Sequence, residues 1–143
     1  MKTVLLFLTL CGSIMACSGD KNKSAVEHHP TKKDFVELLY FHGAQRCATC
    51  MAIEKHTKEL VETSHSEQLK SGQLLFRSID ITKEESLAEK YNVSWSSLIL
   101  LDHNKSGKEE TTNLTEFAFE NARTAPDKFK SGLSEEITEK LNK

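Results

Sequence analysis

The sequence predicts an α/β domain built on a mixed four-stranded sheet flanked by helices. Three observations carry that expectation. Phe35-Val36-Glu37-Leu38-Leu39-Tyr40-Phe41 is almost unbroken apolar sequence, the pattern of a central strand covered on both faces. Cys47-Ala48-Thr49-Cys50 follows it and opens a helical pattern. A second apolar run, Leu74-Leu75-Phe76-Arg77-Ser78-Ile79, comes after that helix. Strand, long helix and strand form a βαβ unit, which imposes a parallel pair and a right-handed crossover.

The remaining elements follow in order. The helix after Cys47 places Ile53, Thr57, Leu60, Val61 and Ser64 at helical spacing, with Leu69 further on. Glu54, Lys55, Lys58, Glu59 and Glu62 fill its outer faces, and Ser71-Gly72 ends it. Thr82 with Glu85 has the spacing of a capping box and opens a short helix to Tyr91. Ser97-Leu98-Ile99-Leu100-Leu101 is the third strand. Residues 102–108 contain Asn104 and Gly107 and predict a hairpin, and the polar run Glu109 to Thr112 predicts a returning edge strand. Asn113 with Glu116 caps another helix. Thr124-Ala125-Pro126 should break it, with about one turn over 127–130. Ser134 should cap a last helix with Leu133, Ile137 and Leu141 inward. The order β-α-β-α-β-β-α is that of the thioredoxin fold, predicted here for residues 34–143.

The chain of 143 residues suits one domain, and its net charge of −2 offers no bulk attraction to nucleic acid. Its start has a different character. Lys2 is a short basic region, Val4 to Leu10 is apolar, and Ile14-Met15-Ala16-Cys17 follows. The apolar stretch is too short for a permanent span and reads as a secretory signal over residues 1–16. A Cys at the end of such a signal resembles a bacterial lipobox. That resemblance implies cleavage after Ala16 and lipidation of Cys17, whereas plain secretion would leave Cys17 incidental. Residues 17–33 are polar and aperiodic, which predicts a flexible tether from a membrane to the domain. His28 and His29 lie in this tether, solvated or available to a metal. Cys11 leaves with the signal, so Cys47 and Cys50 remain as the free thiols of an exported domain.

The dithiol is the candidate catalytic pair. A helix N-terminus presents unpaired N–H groups and a positive dipole end, which favour a thiolate. Cys47, the more N-terminal, is the expected attacking thiolate, and Cys50, one turn in, the resolving thiol. Arg46 either lowers the Cys47 pKa by its charge or faces solvent. His42, at the end of the first strand, is a candidate proton shuttle or third ligand, the alternative being a hydrogen bond to backbone. Trp95 lines a pocket or packs at the domain edge. Glu37, the one acid of the first strand, is expected near a strand terminus. His56, His65 and His103 are expected at the surface.

Tyr40-Phe41-His42-Gly43, Arg46-Cys47-Ala48-Thr49-Cys50 and Ile53-Glu54-Lys55 resemble a bacterial thioredoxin-like lipoprotein family. That family is described as nitrophenyl compound nitroreductase subunits, in the setting of aromatic arsenical resistance. The resemblance implies a periplasm-facing, membrane-anchored electron relay in a Gram-negative cell envelope. Its partners would be a membrane dithiol donor and a downstream disulfide or reductase. No cofactor is expected in the chain itself. Reduction of a nitro group ordinarily needs a flavin or metal centre, and none of the six glycines forms a phosphate-cradling G-x-G-x-x-G.

Three departures from ordinary thioredoxins stand out. Phe41 occupies the place of their buried strand Asp, Arg46 that of the Trp before the first Cys, and Ser97 that of the cis-Pro. A residue without the proline ring leaves the dithiol open to sharing a metal. The alternative function is therefore a carrier of As(III) or Cu(I) through Cys47 and Cys50, both soft ions suited to thiolates.

Overall fold

The computed structural model describes residues 34–103 and 108–143. The signal, Cys17, the tether with His28 and His29, and the tip of the predicted hairpin with Asn104 and Gly107 lie outside them.

β1 (Phe35–His42) is followed by α1 (Ala48–Thr63), α2 (Ser66–Ser71), β2 (Leu74–Asp80) and α3 (Glu85–Lys90). β3 (Ser97–His103), β4 (Glu109–Asn113), α4 (Thr115–Asn121) and α5 (Pro126–Leu141) complete the order. The sheet is mixed and four-stranded, in the order β2-β1-β3-β4. β1 and β2 are parallel, and β3 runs antiparallel to both β1 and β4. This is the thioredoxin-like arrangement that the element order predicts.

β1 is central, and its alternating side chains feed two apolar clusters. Val36, Leu38 and Tyr40 pack with Ile53, Leu60 and Val61 of α1 and Phe129, Leu133 and Ile137 of α5. Leu39 and Phe41 pack on the other face with Ile79, Ile99 and Leu101, covered by Leu87, Tyr91 and Val93. A strand apolar on every face has no other stable position in a sheet. Full burial of each such side chain contributes roughly 1.5–3 kcal/mol. The polar β4 sits at the edge, where charged side chains keep one face wet.

Glu37 departs from its expected place at a strand terminus. It is the third residue of β1, in register with Leu75 and Leu101. Its carboxylate is compensated from both neighbouring strands: Arg77 Nη1 lies at 3.5 Å and His103 Nε2 at 3.3 Å. His103 is accordingly half-buried, and its ring stacks on Phe35 at 4.2 Å between centroids.

The helices differ from expectation in three places. First, the long helix is two: α1 ends at Thr63, and α2 starts after His65. His65, expected at the surface, is 5% exposed. Its Nε2 lies 3.0 Å from Ser134 Oγ of α5, so a tertiary hydrogen bond turns the chain where helical spacing alone would continue it. Gly72, at φ 71°, then ends α2 in the left-handed conformation expected of it. Second, Thr82 does not cap α3. Its N–H and hydroxyl both donate to Asp80 Oδ1, at 3.0 and 2.7 Å, and the helix begins three residues later. Third, Pro126 starts α5 rather than ending α4. At the first position of a helix the missing N–H is not needed, and α5 runs unbroken to Leu141 with Ser134 in its middle. Asn113 lies one residue ahead of Leu114, the N-cap of α4, and its Oδ1 accepts the Thr115 N–H at 2.9 Å.

Burial holds the His65 pKa below its ordinary 6.5. The folded state therefore disfavours the imidazolium. This contribution to stability is complete above the unfolded pKa and is lost as pH falls from about 6.5 through the lower folded value. His65→Gln, which keeps a polar contact to Ser134 without a titration, should lose less stability than wild type between pH 7.5 and 5.5 in urea melts. Parallel losses would contradict a neutral, buried imidazole. Thr57 is fully buried, and its hydroxyl meets no hydrogen-bond partner. Thr57→Val should therefore stabilise the domain by about 1 kcal/mol, read as a higher denaturation midpoint at unchanged slope.

Candidate redox site

The buried β1 ends at His42, and a five-residue loop, 43–47, brings the chain to α1. Cys47 is the N-cap of that helix, with extended backbone at φ −75° and ψ 164°. Its Sγ accepts the Cys50 N–H at 3.1 Å. A sulfur thus fills the capping role usually taken by Ser, Thr, Asp or Asn. No acidic side chain lies in the first turn of α1, so the positive end of the helix dipole is met by sulfur alone.

Cys47 and Cys50 are joined as a disulfide, with Cα atoms 5.0 Å apart. Their exposures differ. Cys47 is exposed at the loop, whereas Cys50 is 6% exposed and joins the buried stripe of α1. In the reduced form, only the outer sulfur is placed to meet another molecule.

Arg46 points neither into open solvent nor, in its contacts, at Cys47. Its Nη2 lies 2.6 Å from Glu54 Oε2, and its guanidinium carbon 5.6 Å from the centre of the Tyr40 ring. The Glu54 contact is an ion pair rather than an aligned hydrogen bond, since Nε and Nη2 meet no acceptor at hydrogen-bonding angles. Burial acts to lower the Arg46 pKa, but Glu54 and Tyr40 outweigh it and hold it above the ordinary value. Burial likewise acts against ionisation of Glu54. The Ser78 hydroxyl and then Arg46 outweigh it, and the carboxyl stays below its usual range.

Sequence patterns did not reveal Tyr40 and Glu54 as members of this site. Tyr40 is fully buried, and its hydroxyl donates to the Cys50 carbonyl at 2.8 Å. Burial raises its pKa despite the nearby Arg46. Tyr40 looks like core in an apolar run, and Glu54 looks like one of several outer-face charges on α1. The available signal was spacing: Glu54 lies four residues after Cys50, on the same helix face.

His42 takes its backbone alternative, with Nδ1 3.0 Å from the Gly43 carbonyl oxygen. Ser97 begins β3 opposite Phe41, on the face away from Tyr40, and its Oγ donates to the Trp95 carbonyl at 3.1 Å. Its neighbour Ser96 acts to lower the Tyr40 pKa, against the larger effect of burial. Trp95 is 59% exposed and leans on Phe119 at 5.4 Å between ring centroids. With Asn113, Thr115, Glu116, Phe119 and Glu120 it lines an open groove of about 780 Å³. His56 is partly covered and pairs with Glu59 at 3.0 Å. Among the described residues, no group of three or more His, Cys, Asp or Glu is placed to hold a metal ion.

No protein-family model matches the chain, and no curated protein sequence matches it. Solved structures do. A thioredoxin from Fasciola hepatica is 21% identical, with a TM-score of 0.47, over 75% of this chain and 82% of that one. A thioredoxin from Thermus thermophilus is 18% identical, with a TM-score of 0.43, over 72% and 76%. Thioredoxin-2 of the malaria parasite, described as a component of its protein secretion machinery, is 26% identical, with a TM-score of 0.39, over 57% and 72%. The thioredoxin-like fold is assigned on the sheet order and on the place of the dithiol within it.

Proposed function

We propose that the protein is a thiol–disulfide oxidoreductase that works as a membrane-tethered electron relay. The observation that carries this is the exposed Cys47 Sγ at the N-cap of α1, with Cys50 buried behind it and close enough to close a disulfide. In the reduced protein the Cys47 thiolate attacks a partner disulfide, and a mixed disulfide forms as one partner thiolate leaves. The Cys50 thiolate then attacks Cys47 Sγ, which releases the second partner thiolate and closes the Cys47–Cys50 bond. Two electrons pass to the partner, whose thiolates take up the protons. A membrane dithiol donor restores the protein by the same exchange in reverse.

The resemblance of residues 40–55 supports a place upstream of nitroaromatic reduction. A dithiol supplies two electrons by exchange but does not itself reduce a nitro group, so the terminal step falls to a flavin or metal partner. The short apolar segment ending at Cys17 supports a lipid anchor and a periplasm-facing domain on a tether.

Two experiments test these assignments. Cys50→Ser should accumulate mixed disulfides through Cys47, visible as shifted bands on non-reducing gels that collapse on reduction. Cys47→Ser should accumulate none and lose at least about a thousandfold in disulfide-reduction rate, because the buried thiol cannot attack. Trapping through Cys50 instead would reverse the roles. For the anchor, Cys17→Ser should leave the protein in the soluble periplasmic fraction with an unchanged melting temperature, and radioactive palmitate should label the wild type alone. An unlabelled wild type, or a mutant retained on salt-washed membranes, would sink the lipid assignment.

A further inference from the structure

Arg46 is the cation next to Cys47 in the chain, yet its charge is engaged elsewhere. Its side chain is 24% exposed and paired with Glu54 at 2.6 Å. Glu54 is held from its other side too, since Ser78 Oγ donates to Oε1 at 2.5 Å. Tyr40, over whose ring the guanidinium lies, donates to the Cys50 carbonyl. Ser78, Glu54, Arg46 and Tyr40 therefore form one chain of contacts from β2 to the backbone of the inner cysteine. Disulfide exchange itself uses none of the four.

We propose that Glu54 is a positioning residue of the redox site: it anchors the Arg46 guanidinium against Tyr40, withholds that charge from the Cys47 sulfur, and so keeps the dithiol more reducing. The inference rests on the exchange reading above. Its physical basis is that a cation beside a thiolate stabilises the reduced form and raises the reduction potential. The helix N-terminus already acts in that direction. A released Arg46, one residue from Cys47 on a long flexible stem, would add to it. Ion-paired and largely covered, the guanidinium presents little net field to the sulfur.

The test equilibrates the full chain with mixtures of reduced and oxidised glutathione and reads the dithiol fraction by thiol trapping. Glu54→Gln should shift the equilibrium about tenfold towards the reduced protein, or ~30 mV for a two-electron couple. Ser78→Ala, which loosens the carboxylate without removing it, should shift it the same way by less. Glu54→Asp, which keeps the ion pair, should stay within about threefold of wild type. In an Arg46→Ala background, Glu54→Gln should add nothing, because the charge it controls is gone. A shift that persists in that background would show Glu54 acting through its own charge and would overturn the inference. Unchanged equilibria in both Glu54→Gln and Ser78→Ala would overturn it as well. A wild type that never equilibrates with glutathione would defeat the exchange reading itself. One that equilibrates, with unresponsive variants, defeats only the role of Glu54.

Discussion

The site depends on one contact, the Cys50 N–H donated to Cys47 Sγ at the start of α1. A helix begins with N–H groups that no carbonyl within it can meet. Here the sulfur accepts one of them, so the cap that starts the helix is also the exposed half of the disulfide. The contact needs Cys47 at the end of a short loop of fixed origin, and β1 supplies the origin. Buried on both faces and bonded to strands on both sides, β1 cannot shift by one residue without turning Leu39 and Phe41 out of one cluster and Tyr40 out of the other.

The two faces of β1 divide the labour. On the α1 side, Tyr40 ties the strand to the Cys50 carbonyl and supports Arg46. On the α3 side, Phe41 stands where the resemblance to thioredoxins would place an acid, and packs near Tyr91 at 6.1 Å between ring centroids. The carboxylate tied to Arg46 beside the dithiol lies on the helix. Glu54 approaches from α1 with its own cation, so the cluster on the Phe41 side remains apolar. A paired carboxylate at a partly exposed edge avoids most of the desolvation that an isolated buried one would meet.

Much of this was legible in the sequence, and what was not has a common cause. β1, β2 and β3 are apolar runs bounded by polar sequence, and β4 is polar because it is an edge; composition alone reveals them. The start of α1 was legible because a Cys-x-x-Cys pair between strand and helix has few other places to sit. The break at Ser64-His65 was not, since it answers to Ser134, 69 residues away. Pro126 was misread because the same missing N–H ends one helix or begins another, and packing of Phe129 and Leu133 decides which. Glu37 was misplaced, and Tyr40 and Glu54 were given no part in the site, for a similar reason. Each is defined by partners on other elements, which local periodicity does not encode.

Little large apolar surface is left exposed on the described residues. Among the described residues, the large apolar side chains left exposed are Met51, at 53%, and Trp95, at 59%. Met51 directly follows Cys50, and Trp95 lies two residues before β3. Two such side chains cover far less area than a lasting interface requires. Met51 offers a small apolar footing next to the dithiol, while Trp95 lies over Phe119 at the open groove. That suits an exchange in which the transient covalent bond, rather than buried surface, holds the partners together while electrons pass. The contacts of Arg46, Glu54 and Tyr40 involve neither Met51 nor Trp95, so the proposed tuning of the potential and the exposed apolar surface rest on different side chains.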